Sequence, residues 1–225
     1  LDDAIRSIHA SSGEQGLAIE IEYNALSLGA RFSRPLKATL SLPCAIQAQN
    51  AALAAYTAKY LFPEMDEEKI EEGLSRAWLP GRFEIVRGHT PIVLDGAHTV
   101  RSVTLTLQTF AEIYPGKAHL LFACAADKEV ESIAPLFAGL FERVVVTRPG
   151  NKKASDIDRA DAAFKKAFAE VDGIDYSVNA DWERAIASSL REAELKRVPL
   201  LVIGSFYLVS EVKRILGAHA GDRES

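Results

Sequence analysis

From residue 82 onward the chain repeats one unit: a short apolar run, a break marked by Gly, Asp or Pro, and then apolar residues at helical spacing. The runs lie at 91–94, 119–125, 143–147, 174–178 and 199–203. Between them, Val100, Val103, Leu107 and Phe110 share one helical face, as do Ile157, Ala160, Phe164, Phe168 and Val171. A third helix opens at Asp181 with Trp182, Ala185, Ile186 and Ser189 inward, and a closing one spans 209–216. Ile133, Phe137 and Leu140 predict another helix, started late or kinked by Pro135. Asp127 is a cap candidate, and Ser155 with Asp158 makes a capping-box pattern. Strands that alternate with helices of this length predict an α/β fold: a Rossmann-like, mostly parallel sheet with helices on both faces and right-handed crossovers.

The repeat begins at LPGRFEIVRGHTPIVLDGAHT, residues 79–99, where two apolar runs converge on Arg82, Asp95 and His98. Phe83, Ile85 and Val86 read as a strand with Arg82 at its mouth, and Gly88 turns the chain back. The second run ends at Asp95-Gly96-Ala97-His98, just before a helical pattern opens at Thr99. Open α/β sheets place ligands at such strand-to-helix junctions, and a helix N-terminus favours anionic groups. Two plainer readings stand beside this one: Asp95 as a turn former, and His98 as a helix-start histidine with a backbone partner.

Upstream, residues 16–23 alternate apolar and polar in the period of a half-wet strand, expected to pair with a neighbour near residues 25–32. Residues 45–56 form a helix too apolar for a surface, with Gln47 and Asn50 as polar exceptions on one side. Those two amides read either as ligand-facing or as groups that satisfy backbone. Asp66 is expected to cap a second helix with Ile70, Leu74 and Trp78 inward. Residues 1–10 read as the end of a helix with Ala4, Ile5 and Ile8 on one face, and the opening Leu1 points to a piece of a longer chain.

Charge and cysteine usage narrow the function. A net charge of −5 argues against a general polyanion-binding surface, and hence against nucleic acid. There is no apolar run near the roughly 18 residues of a membrane span, so no membrane partner is expected and the chain is placed in the cytoplasm. The two cysteines, Cys44 and Cys124, sit far apart in apolar surroundings and read as small buried hydrophobes. No Cys/His metal cluster, glycine-rich dinucleotide fingerprint or GxxxxGK[ST] phosphate loop occurs.

Four segments carry a resemblance: QAQNAALA at 47–54, LPGRFEIV at 79–86, LDGAH at 94–98 and GSFYLVSEV at 204–212. They resemble the folylpolyglutamate synthase branch of the Mur ligase family, the first three in that family's order and approximate spacing. The resemblance implies that residues 81–225 are the Mur ligase C-terminal domain and residues 1–80 an incomplete tail of the central ATP-binding domain. It assigns Asn50 to the adenine end of ATP, Arg82 to its phosphates and Asp95 to the ribose side. His98, the implied catalytic residue, would face the incoming glutamate together with Ser205 and Tyr207. It implies an ADP-forming ligase: ATP phosphorylates a folate or oligoglutamate carboxylate, and the amine of L-glutamate attacks the acyl phosphate. Magnesium would accompany ATP, with its ligands mainly in the preceding part of the chain, so the chain alone is expected to be inactive. The parent enzyme would be a monomer.

One departure bears on the branch. The family's asparagine and proline after the histidine are absent, and Thr99-Val100 stands instead. A threonine there also fits the peptidoglycan-precursor Mur ligases, the second reading, whereas Phe83 and the GSFY segment fit the folate branch. A non-catalytic α/β domain derived from such a ligase is the third.

Overall fold

The computed structural model describes residues 4–13, 15–24 and 31–221, with side chains to residue 217. The chain separates into two compact units, one of Leu1–Leu79 with Gln108–Ile113 and one of Pro80–Leu107 with Tyr114–Ser225.

The first unit is an antiparallel sheet of β1 (Ile5–Gly13), β2 (Gly16–Tyr23) and β3 (Leu36–Leu40) in sequence order, with helices α1 (Ile46–Leu61) and α2 (Glu67–Arg76). Leu17, Ile19 and Ile21 alternate inward from β2 and meet Leu36 and Leu40 of β3, the alanines 48, 51, 52 and 55 of α1, and Ile70 and Leu74 of α2. The helix expected over residues 1–10 is therefore not formed in their described part, which is strand β1 from Ile5 onward, while residues 1–3 lie outside the described residues. A bulge between Ile5 and Ser7 shifts the register, so Ile5 and Ile8 both pack on the core and imitate a helical face. Strand β2 pairs with β1 and β3; the neighbour expected near residues 25–32 falls mostly on residues 25–30, which lie outside the described residues. Although α1 forms where expected, it has a wet side, with Leu53, Tyr60 and Leu61 exposed. Asp66 stands at the cap position of α2 without a cap hydrogen bond; its carboxylate instead lies 3.9 Å from Lys69. Trp78 is 56% exposed rather than inward, because the chain turns extended at Ala77 and leaves the helical face that Leu74 occupies.

The second unit is a six-stranded sheet in the order β4-β5-β9-β6-β7-β8. Its strands are β4 (Glu84–Val86), β5 (Ile92–Asp95), β6 (His119–Phe122), β7 (Arg143–Thr147), β8 (Asp175–Asn179) and β9 (Leu200–Ile203). Only β4 runs antiparallel, paired with β5; all other pairings are parallel. Helices α3 (Val100–Ile113), α4 (Val130–Ile133), α5 (Ile157–Ala167), α6 (Trp182–Lys196) and α7 (Phe206–Gly221) connect or close the strands. On one face Leu121, Val145 and Val202 pack against Trp182, Ala185 and Ile186 of α6 and Leu208, Val209 and Val212 of α7. On the other, Phe122 joins Phe137 and Phe164 in an aromatic cluster that extends to Phe168 and Tyr176. A sheet buried on both faces explains why its strands read as unbroken apolar runs; all four residues of β9 are buried.

Three local expectations shift. The helix expected through Leu140 is a single turn, α4, followed by a 3-10 turn over Ala134–Phe137 that Pro135 opens, which leaves Leu140 exposed. Asp127 does not cap α4, whose cap position is Glu129; its carboxylate pairs with Lys128 and Lys153. The cap of α5 is Asp156 rather than Ser155, accepting from the backbone N–H of Arg159 at 2.9 Å. Asp181 caps α6 as expected, through Arg184 N–H at 3.1 Å.

At the opposite end from the strand-to-helix junctions, His119 is buried on β6 with Nε2 3.3 Å from Glu142 Oε1. Burial pushes its pKa down, against the opposing pull of Glu142. A lowered folded-state value means that the unfolded chain takes up the proton first, so this contribution to stability is lost as pH falls below about 6.5. His119→Gln is expected to flatten the stability decline between pH 7 and 5, as read from urea midpoints; an unchanged slope would remove His119 from the account.

Candidate active site

Parallel pairing of β5 with β9 sets Asp95 opposite Ile203, so the two strands end on the same rim. Because β4 is antiparallel to β5, with Glu84 opposite Leu94, its first residues lie on that rim as well. Topology alone thus brings Arg82, Asp95, His98 and Ser205 to one edge of the sheet. Gly204, at φ 106, makes the turn after β9 in a conformation that L side chains rarely adopt, and a Cβ there would meet the Ala123 carbonyl and the Phe122 ring.

Asp95 is 4% exposed and holds the junction together. Its Oδ1 accepts from Ala97 N–H at 2.7 Å, and its Oδ2 from Phe83 N–H and the Thr106 hydroxyl, both at 3.1 Å. Phe83 is a buried, bulky residue at φ 49, a sparsely populated conformation held here by that bond. Burial raises the Asp95 pKa, while the Ala97 and Thr106 bonds, the Arg82 charge and the Phe83 bond pull it down. A carboxylate has about four lone-pair sites, and three are taken.

The His98 ring nitrogen Nδ1 lies 2.8 Å from the Gly96 carbonyl. A carbonyl only accepts, so Nδ1 carries the proton of this bond and Nε2 is the ring nitrogen left outside it. The backbone partner expected in the plainer reading of His98 is therefore present, and it also orients the ring. Arg82 is exposed, with its guanidinium carbon 4.7 Å from the centroid of Phe206. The same ring meets His98 edge-on at 6.4 Å.

Ser205 is buried and caps α7, its Oγ accepting from Tyr207 N–H at 3.2 Å. This cap starts the helix at Phe206, three residues before the apolar pattern at Val209 suggests. Tyr207 is 44% exposed on the first turn. Thr99 caps α3, its Oγ1 accepting from Ser102 N–H at 3.2 Å while Ser102 Oγ accepts from Thr99 N–H at 3.1 Å. Lys213 reaches across from α7 to both carboxylate oxygens of Glu84, at 2.6 and 2.9 Å, and Glu84 also receives Gly81 N–H at 2.9 Å.

Asn50 belongs to the first unit, exposed on α1, where its amide nitrogen donates to Gln47 Oε1 at 2.9 Å. The two amides do share one side, and they are joined by that bond. Among the described residues no group of three or more His, Cys, Asp or Glu side chains is placed to hold a metal ion. Both cysteines are buried and neither forms a disulfide, and burial pushes the Cys124 thiol up to about 11, which leaves it protonated at neutral pH. Three contributors escaped the sequence: Phe206, Thr106 and the Glu84–Lys213 pair. Their roles depend on contacts between distant segments; only GSFY hinted at one of them.

Residues 81–206 match the family model described as Mur ligase, glutamate ligase domain. A probable bifunctional folylpolyglutamate synthase/dihydropteroate synthase of Haloferax volcanii is 28% identical over 205 residues, 88% of this chain and 22% of that protein. Folylpolyglutamate synthase of Thermotoga maritima shares the fold at a TM-score of 0.74 and 24% identity, over 96% of this chain and 47% of that one. The Mycobacterium tuberculosis folylpolyglutamate synthase complexed with ADP does so at 0.76 and 20%, over 95% and 47%. The chain thus spans about half the length of these solved relatives. With a glutamate ligase domain matched over more than half its residues, its rim built on the second unit, the chain belongs to the Mur ligase family.

Proposed function

We propose that this chain is the glutamate-accepting part of an ATP-dependent, ADP-forming ligase that lengthens the glutamyl tail of folate. The observation that carries the reading is the rim of the second unit, where a cation, an oriented imidazole and a helix N-terminus converge within the segment that matches the glutamate ligase model. The names of the curated relatives support the folate branch over the peptidoglycan one. ATP phosphorylates the acceptor carboxylate, which turns a poor electrophile into an acyl phosphate. The glutamate amine then displaces phosphate to form the amide. In such reactions catalysis rests on in-line positioning and on neutralising charge.

Residue roles follow from chemistry. Arg82, exposed and guanidinium-bearing, is assigned to ATP phosphates. Asp95 keeps one lone-pair site and is assigned to the ribose side. Asn50, in the first unit, is assigned to the adenine end. His98, with Nε2 outside the Gly96 bond, and the Ser205 and Tyr207 hydroxyls are assigned to the incoming glutamate; in its neutral form the imidazole accepts a proton from the glutamate ammonium so that the amine becomes nucleophilic. The nucleotide assignment is supported by the relative solved with ADP. Magnesium accompanies ATP in this reading, but the described residues show no cluster that fits it, so no step is assigned to it here. A cytoplasmic, monomeric ligase completes the proposal.

Arg82→Ala tests the nucleotide role in the chain joined to the upstream half of a solved relative. Loss of a charge-assisted donor is expected to lower kcat/KM for ATP by about 1.5–3 kcal/mol, with a much smaller change for glutamate. Equal losses for both substrates would remove Arg82 from the phosphates.

A further inference from the structure

We infer that Phe206 is a positioning residue that sets the direction of both Arg82 and His98. The roles of those two rest on the ligase reading above, whereas the geometry does not. Phe206 is the first residue of α7, on the turn that Ser205 caps, so the helix itself sets where its ring projects. The ring fills the space that Gly96 leaves empty; a Cβ at 96 would lie 2.4–2.5 Å from three of its ring carbons. It also touches Gly81, where an added Cβ would lie 3.3 Å from the ring and 3.1 Å from Val209. These two glycines are themselves joined, Gly96 N–H donating to the Gly81 carbonyl at 2.8 Å. Phe206 thus packs over the joined backbones at the entry to β4 and the exit of β5, which carry Arg82 and His98.

The ring has a different use on each side. Its face lies under the Arg82 guanidinium at 4.7 Å, which favours a cation and fixes an otherwise exposed, rotamer-rich side chain. It also forms a T-shaped pair with His98, whose other constraint is the Nδ1 bond to Gly96. Held from two directions, the imidazole keeps one tautomer and one plane. An aliphatic side chain of similar volume would fill the gap but offer no face to the cation.

Nuclear magnetic resonance of the chain itself provides the test. In the parent chain the side-chain protons of Arg82 should be shifted upfield by the ring current. Phe206→Leu should abolish that shift and broaden the His98 ring signals while the fold is retained, and Phe206→Tyr should restore both. A second measurement reads the wedge: Gly96→Ala should lower the folding equilibrium constant about tenfold in the parent background and far less in Phe206→Ala, which has no ring to displace. Arg82 signals unchanged in Phe206→Leu, or a Gly96→Ala effect equal in both backgrounds, would overturn the inference. In the joined ligase, Phe206→Leu should raise the KM for ATP, with Phe206→Tyr near the parent. Shifts that respond without any KM effect would uphold the positioning and instead refute the assignment of Arg82 to phosphate.

Discussion

Asp95→Ala is expected to destabilise the second unit by about 2–6 kcal/mol, since each buried donor left unpaired costs about 1–3 kcal/mol and the substitution strands two backbone donors. Those donors are Phe83 N–H and Ala97 N–H, both buried. The third partner, Thr106, keeps a bond to the Ser102 carbonyl at 3.0 Å and so is not stranded. Loss of the Phe83 bond also frees a residue held at φ 49, so the mouth of β4, where Arg82 sits, should loosen with it. Asp95→Asn should cost less, because its amide oxygen can still accept from one of the two. Urea unfolding curves of the three proteins check this; a loss below about 1 kcal/mol for Asp95→Ala would mean that the junction is held by something else. Ionisation of Asp95 has a definite sign. Its folded pKa is raised chiefly by burial, so its contribution favours folding most at acid pH and is lost as pH rises through that value.

Much of this architecture was legible because both of its periods leave marks in a linear sequence. Parallel strands covered on both faces must be apolar throughout, and Leu200, Leu201, Val202 and Ile203 show it. Residues just past such strands fall on the ligand-facing rim by topology, which is why Asp95, His98 and Ser205 could be placed together beforehand. What escaped has local causes. The bulge in β1 gave a strand the spacing of a helix. Trp78 follows a helix end that its apolar character does not announce. Asp127 has a cap's identity but spends its carboxylate on two lysines. Phe206 could not be found from periodicity at all. Its role depends on the missing side chain at Gly96, more than a hundred residues earlier, and on a helix that begins before its apolar stripe does.

The largest effect expected is on ligation itself. The sequence of 225 residues contains no GxxxxGK[ST] loop, and the described residues contain no metal-binding cluster. On the proposed reading, the cradle for the triphosphate belongs to the half of the solved relatives that this chain does not span. Without backbone donors around the phosphates, the γ-phosphate is not held in line with the acceptor carboxylate, and positioning is most of what such catalysis has to offer. The second unit, with its own core on both sheet faces, should still fold and keep its rim. The decisive measurement is incorporation of labelled glutamate into a reduced folate in the presence of ATP and magnesium, by the chain alone and by the chain joined to the upstream half of a solved relative. The expected result is no incorporation by the chain alone and ATP-dependent incorporation, with ADP formed in step, by the joined protein. Turnover by the chain alone, or a folded joined protein that adds no glutamate, would contradict the account.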